Sequence, residues 1–292
     1  MYSKVKTYLK INPNTQRYWG MGFLCILLSF FAFSCNKKTS STEIPEGKYK
    51  FVKGIPTPVG YTRDTTTKDS FTLYLRNLPL KEDKTVFLHN GKAKPNQNAQ
   101  YAVIKMDVGK RDLQQCADAV MRLRAEYLYK QKKYNKIHFN FTNGERADYV
   151  EYAEGHRAVV LNNQVRWAKT AEKNYDYKTF RKYLDLVFTY AGTHSLNKEM
   201  VKTPIEEIRP GDVFIQIGFP YGHAVTVVDV AENKETGVKA FMLAQSFMPA
   251  QEIHILKNPA KNNDPWFYTS TKYQLVTPEW TFNTHDLKRF KD

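Results

Sequence analysis

Four strand-like runs crowd into the stretch from Val213 to Leu256: Val213-Phe-Ile-Gln-Ile, His223-Ala-Val-Thr-Val-Val-Asp-Val, Phe241-Met-Leu-Ala-Gln-Ser and Glu252-Ile-His-Ile-Leu. Apolar and β-branched residues dominate them, and Pro210-Gly211 punctuates their start. A second strand-and-turn region lies upstream, from about Tyr49 to Met106. It holds Phe71-Thr-Leu-Tyr-Leu, Thr85-Val-Phe-Leu-His, the hairpin signal Asn90-Gly91 and Tyr101-Ala-Val-Ile-Lys-Met106. Helical text separates the two. Leu113, Cys116, Ala117, Val120, Leu123, Tyr127 and Leu128 recur at helical spacing, with Asp112 and Gln115 placed as a capping box. This predicts a helix from Asp112 to about Gln131. A second helix is predicted from Thr179 to Tyr190, on Phe180, Tyr183, Leu184, Val187 and Phe188, and Ala191-Gly192 stops it. No internal repeat or long linker divides the chain, so residues 49–292 are expected to form a single α+β domain.

The first 35 residues read as an address rather than as part of that domain. Lys4, Lys6, Lys10 and Arg17 form a basic start, an apolar run follows from Met21 to Phe33, and Ala32-Phe33-Ser34-Cys35 closes it. The run is short of the about 20 apolar residues that a spanning helix needs. The arrangement predicts a signal peptide over residues 1–34. A cysteine directly after a small residue at this point resembles the bacterial lipobox, which implies cleavage before Cys35 and acylation of its thiol. Residues 35–48, with Asn36-Lys-Lys-Thr-Ser-Ser-Thr, then read as a polar tether, and the folded part sits in water beside a membrane. Asn36 after the lipidated cysteine resembles outer-membrane sorting, which places the protein in the cell envelope.

Maturation simplifies the thiol inventory. Of the 3 cysteines, Cys25 leaves with the signal and Cys35 is committed to lipid, so Cys116 is the remaining free thiol. In an exported protein such a thiol asks for a role. Cys116 falls in the first turn of a predicted helix, where backbone N–H groups and the helix dipole favour a thiolate. His223 opens a strand after Gly222, and Gln245 ends a neighbouring strand-like run. A nucleophile, a base and a group that orients the base are the parts of a covalent hydrolase. Gln251 and Asp229 compete with Gln245 for the third role. Gln115, or Gln114, with the Cys116 backbone N–H, would supply an oxyanion hole. The bland alternatives are a buried structural cysteine, which shares a helix face with Leu113, Ala117 and Val120, and a histidine that caps a strand.

Gly211-Asp-Val-Phe-Ile followed by Gly222-His223-Ala-Val-Thr-Val-Val resembles the strand pair of papain-like cysteine peptidases, including the NlpC/P60 cell-wall hydrolases. The resemblance implies a helix bearing the nucleophilic cysteine packed on an antiparallel sheet, with His223 as general base and peptidoglycan peptides as substrate. Cys116 departs from the pattern in being preceded by Gln-Gln. A closer likeness covers Asp112-Leu-Gln-Gln-Cys-Ala-Asp-Ala, Arg122-Leu-Arg-Ala-Glu-Tyr-Leu-Tyr and Ala244-Gln-Ser-Phe-Met-Pro-Ala-Gln-Glu-Ile. These segments resemble a family of bacterial lipoproteins filed as a domain of unknown function (4846), which implies no activity.

Other features narrow the function. Histidines 89, 138, 156, 194, 254 and 285 form no metal-binding spacing, so no metal and no cofactor are expected. Arg122, Arg124 and Glu126 read as a solvated helix face, and Trp266-Phe-Tyr as packing. The chain carries a formal charge of +15, and loss of four basic residues with the signal leaves about +11. Such a charge favours anionic envelope polymers or lipid headgroups as neighbours. No nucleic-acid motif is present, and an exported chain is an unsuitable partner for nucleic acid. Two functions follow as expectations: a cysteine hydrolase or acyltransferase acting on amide bonds, and a non-catalytic envelope lipoprotein that holds peptides or glycans in the same cleft.

Overall fold

The computed structural model describes residues 48–261, 264–271 and 273–291. The expected signal peptide, the lipidation site Cys35 and residues 35–47 of the tether lie outside the described residues. In the first half the chain forms α1 (Ser70–Arg76), β1 (Gln100–Val103), α2 (Cys116–Lys130), β2 (His138–Asn140), β3 (Arg146–Asp148), α3 (Tyr149–Ala153), β4 (His156–Leu161) and β5 (Gln164–Lys169). It continues with α4 (Tyr177–Tyr190), α5 (Thr193–Glu199), β6 (Met200–Lys202), β7 (Val213–Gln216), β8 (His223–Glu232), β9 (Lys239–Gln245) and β10 (His254–Leu256). Last come β11 (Trp266–Tyr268), β12 (Gln274–Val276), β13 (Thr281–Asn283) and β14 (Leu287–Phe290).

The four strand-like runs of the C-terminal half become β7 to β10, the centre of an eight-stranded sheet. Its order is β1-β10-β9-β8-β7-β14-β6, with β11 added along β9, and every pairing is antiparallel. The architecture is therefore α+β with an antiparallel sheet. Both faces of the sheet are covered, which explains why these strands read as nearly continuous apolar runs. On one face, Ala224, Val228, Met242 and Ala244 pack with the stripe of Ala117, Val120 and Leu123 on α2. On the other, Phe214, Val225, Val227 and Leu243 pack beneath Leu275 and Phe282 of the β12–β13 hairpin.

The Gly211-Asp212 pair shapes the approach to β7. Gly211 has φ +94°, and a Cβ there would meet the Phe71 ring at 2.7 Å, so only glycine fits without displacing that ring. Asp212 is fully buried. It accepts from the Arg209 backbone N–H at 2.9 Å and from Arg289 Nε at 2.6 Å, tying the turn to β14. Its role is architectural.

Several local expectations are corrected. Phe71-Thr-Leu-Tyr-Leu, predicted as a strand, is helix α1. Asp69 caps it by accepting from the Phe71 N–H at 3.0 Å and the Thr72 hydroxyl at 2.7 Å. Phe71, Thr72, Leu75 and Arg76 are buried while Leu73 is exposed, so helical spacing rather than the apparent alternation describes the burial. Thr85–His89 forms only the isolated bridges Phe87↔Ala93 and Leu88↔Gln251, closed by the predicted Asn90-Gly91 turn. The first long helix begins at Cys116 rather than Asp112, with Gln115 as N-cap. Arg122 is not on a solvated face: it is fully buried and donates to Glu126 Oε1 at 2.6 Å and Gln114 Oε1 at 2.8 Å. Among the described residues no helix is long and apolar enough to cross a membrane.

Candidate functional site

Cys116 is the first residue of α2 and its thiol is nearly buried, at 7% exposure. It lines a cleft of about 330 Å³ together with Asp118, Gln115, His194, Tyr221 and Gly222. The thiol donates to the Gly222 carbonyl at 3.9 Å. Gly222 has to be glycine for this fit, since a Cβ would lie 2.3 Å from the Gln216 carbonyl oxygen and 2.8 Å from Thr193 Oγ1. Beside the cleft, Phe219 is fully exposed and Tyr221 largely so.

The thiol is not activated at rest. Burial, followed by the charge of Asp118, pushes it up to about 11, and the N–H groups of Ala117, Ala224 and Cys116 itself oppose this without prevailing. The expectation that the helix start yields a thiolate is thereby corrected. A helix N-terminus favours the thiolate and burial in apolar surroundings opposes it, and here desolvation outweighs the helix start. Asp118 is itself unusual. Its Oδ2 accepts from the Gln115 N–H at 3.0 Å, yet burial pushes the carboxyl up to about 8, and Oδ1 has no partner.

His223 opens β8 and is 1% exposed. Alternation along the strand sends its ring to the face shared by Val225 and Val227. There it packs against Phe247, Trp280 and Phe282, with centroids 4.9, 5.2 and 5.7 Å away. Its Nε2 lies 2.9 Å from Gln245 Oε1. A chain of polar groups fixes the direction of that bond. His254 Nδ1 faces the Glu252 carbonyl at 2.9 Å, an acceptor, so Nδ1 carries the hydrogen and Nε2 accepts. The Gln245 amide donates to Glu279 Oε2 at 2.7 Å and toward His254 Nε2 at 3.4 Å. Its oxygen therefore faces His223, whose Nε2 must donate. The ring is the Nε2–H tautomer, and its Nδ1 keeps a basic lone pair with no hydrogen-bond partner among the described residues. Burial pushes His223 down to about 4 against the opposing effect of the Gln245 bond, so the ring is neutral near pH 7.

Glu279 is held in turn by the nearly buried Lys94 at 2.6 Å and by Asn96 Nδ2 at 3.1 Å. Trp280 Nε1 donates to Gln216 Oε1 at 3.0 Å, which fixes the indole over the imidazole.

The structure thus brings His223 and Gln245 into direct contact and sets Cys116 against Gly222, the residue before His223. No hydrogen bond joins the sulfur to the ring among the described residues. Of the competitors for the third place, Asp229 is bound by Arg63 at 2.5 Å and Arg76 at 2.7 Å, and Gln251 donates to the Pro249 carbonyl at 3.0 Å; neither touches His223. Gln115 lines the cleft, with Nε2 3.2 Å from Asp112 Oδ1. Gln114 does not line it: its carbonyl accepts from Ser246 Oγ at 2.7 Å and its side chain lies in a neighbouring cavity.

His254, Glu279, Lys94 and Trp280 were not singled out by the sequence. His254 sits in an ordinary alternating strand, and its pairing with Gln245 is a matter of register between β9 and β10. Among the described residues no group of three or more His, Cys, Asp or Glu could hold a metal ion.

The fold and this arrangement define an α+β protein with a thiol-lined cleft beside a buried, amide-clamped imidazole. The family described as domain of unknown function 4846 matches residues 52–289, so the chain belongs to that family. No curated protein and no solved structure gives a significant match.

Proposed function

We propose that the protein is a lipid-anchored envelope cysteine hydrolase or acyltransferase of papain-like type, acting on amide bonds such as those of peptidoglycan peptides. The observation that carries this reading is the polar chain ending at His223. A fully buried amide, a second histidine and a nearly buried ion pair hold one imidazole as the Nε2–H tautomer, with Nδ1 left unprotonated. The tautomer is the one a general base accepting through Nδ1 needs, while burial holds the ring at about 4, so substrate binding would have to raise it for efficient proton transfer. The thiol that would feed it lies against the preceding residue's carbonyl.

In the proposed reaction, substrate entering the cleft displaces the thiol from the Gly222 carbonyl. Sγ bonds the acyl carbon while its proton passes to His223 Nδ1. This transfer requires the ring, which packs on the side of Val225 and Val227 and does not line the cleft, to come within reach of the thiol. The developing oxyanion is met by the Cys116 backbone N–H and the Gln115 side chain. Collapse breaks the C–N bond, and the leaving amine takes the proton from His223. Water, or an acceptor amine, then attacks the thioester, restoring the thiol and releasing the acid or the transferred amide. Since thiol and imidazole are both neutral at rest, the proton moves during attack rather than before it.

The elevated thiol pKa and the Sγ–carbonyl contact favour a second reading, a non-catalytic lipoprotein that binds peptides or glycans in the same cleft. One experiment separates the two. Wild type and Cys116→Ala are incubated with muropeptides and a panel of activated amides and esters, and products and covalent adducts are read by mass spectrometry. The hydrolase reading requires a thioester adduct and turnover that both vanish in Cys116→Ala. Saturable binding with no adduct and no turnover in either protein establishes the second.

A further inference from the structure

Behind the thiol cleft lies a cavity of about 280 Å³ whose lining is strongly cationic. Lys178, Arg181 and Lys182 enter it from one face of α4, and Lys110 and Arg111 from the loop before α2, with Asp185 as the acid among the lining residues. Arg111 meets Asp185 only at 3.9 Å. Two buried donors in this wall have no hydrogen-bond partner: Arg181 Nη1 and Gln114 Nε2. Gln114 is 1% exposed, and Arg122 holds its oxygen at 2.8 Å, which fixes where the amide nitrogen stays. Arg181 makes one long ion pair, Nη2 to Asp107 Oδ2 at 3.5 Å, and Asp107 is itself exposed.

Buried donors without partners are rare in folded proteins, because each forfeits its bonds to water without replacement. Two of them in one cation-rich cavity share one remedy, an acceptor-only anion with several oxygens. We propose that this cavity binds an oxyanion group, phosphate or carboxylate, carried by a small ligand, with Arg181 and Gln114 as its buried donors and Lys178 and Lys182 as its outer charges. Burial and the neighbouring Arg122 both lower the Arg181 pKa, which an incoming anion would reverse. The assignment needs no reactivity at Cys116. Leu113 and Phe188 line both this cavity and the thiol cleft, so the bound anion would sit beside whatever the cleft holds.

The test is calorimetric titration of the full-length protein with sodium phosphate and with sodium acetate, at an ionic strength held constant with sodium chloride. Saturable binding of at least one anion is expected, about tenfold weaker in Arg181→Gln, as removal of a charge-assisted pair implies. Tighter phosphate binding identifies a phosphate ligand and tighter acetate binding a carboxylate, and either supports the site. No saturable binding of either anion, or equal affinity in Arg181→Gln, overturns it. Should Arg181→Gln not fold, the exposed pair Lys178→Gln/Lys182→Gln serves instead. A severalfold weakening is then expected, and unchanged affinity overturns the proposal. Cys116→Ser is expected to bind like wild type; loss of binding there would move the anion into the thiol cleft and overturn the assignment, whatever the fate of the hydrolase reading.

Discussion

His223 donates Nε2–H to Gln245 Oε1 across 2.9 Å, and this one bond decides which nitrogen of the ring stays basic. The amide can hold that orientation because its other end is committed to Glu279 and His254. The imidazole is thus positioned by a chain reaching to Lys94, and the chain rather than the histidine alone is the unit to perturb.

Gln245→Leu should cost stability and release the ring. It leaves the His223 N–H and the Glu279 carboxylate short of partners in a buried place, a loss of about 2–4 kcal/mol. Chemical denaturation measures the cost. In wild type, ¹⁵N shifts of the His223 ring should report the Nε2–H form. A wild-type ring found as the Nδ1–H tautomer would contradict the network.

Acid should destabilise the fold in a defined window. His223 and His254 are pushed down to about 4 and about 3 by burial, below the ordinary histidine value of 6.5. The unfolded chain therefore binds protons that the folded one refuses, so this stability is fully present above pH 6.5 and is lost as pH falls toward 4. His223 alone accounts for on the order of 3 kcal/mol. Denaturation midpoints across that range check the slope, and His254→Gln should flatten it.

Asp118 should tune the thiol in the alkaline range. Its carboxyl is pushed up to about 8, so it becomes charged before Cys116 titrates near 11 and holds the thiol proton on. Asp118→Asn keeps an acceptor for the Gln115 N–H and removes the charge. Iodoacetamide labelling of Cys116 is expected to be slower in the native wild type than in denatured protein at pH 8, and its pH midpoint should fall in Asp118→Asn. An unmoved midpoint would mean that burial alone sets the thiol.

The Lys94–Glu279 pair should be costly to break and cheaper to replace. Lys94→Met leaves Glu279 without its ion-pair partner among nearly buried groups and should cost about 3–5 kcal/mol, whereas Lys94→Met with Glu279→Gln should recover part of that. Thermal unfolding of the single and double variants measures the coupling.

Lipidation makes a separate prediction. If Cys35 is the anchor, an alkyne-bearing fatty acid fed to cells should label the wild type and not Cys35→Ser, and the unlabelled variant should leave the membrane fraction.

Local signals in the chain were enough for the central sheet and for two long helices. Apolar runs of β-branched residues can be satisfied only in a strand covered on both faces, and Phe180, Tyr183, Leu184 and Val187 make a buried stripe only on a helix. Cys116, His223 and Gln245 could be singled out for the same reason, since each sits at the end of a strongly patterned element. What the text of the chain misread was short and set by partners far away: α1 depends on a cap at Asp69, and Arg122 is buried because Gln114 and Glu126 receive it. The ionisation of the thiol, the face to which His223 turns and the recruitment of His254, Glu279 and Lys94 were settled by tertiary structure alone. Burial and strand register are properties of the assembled sheet, and a shift of one residue would send the imidazole to the other side.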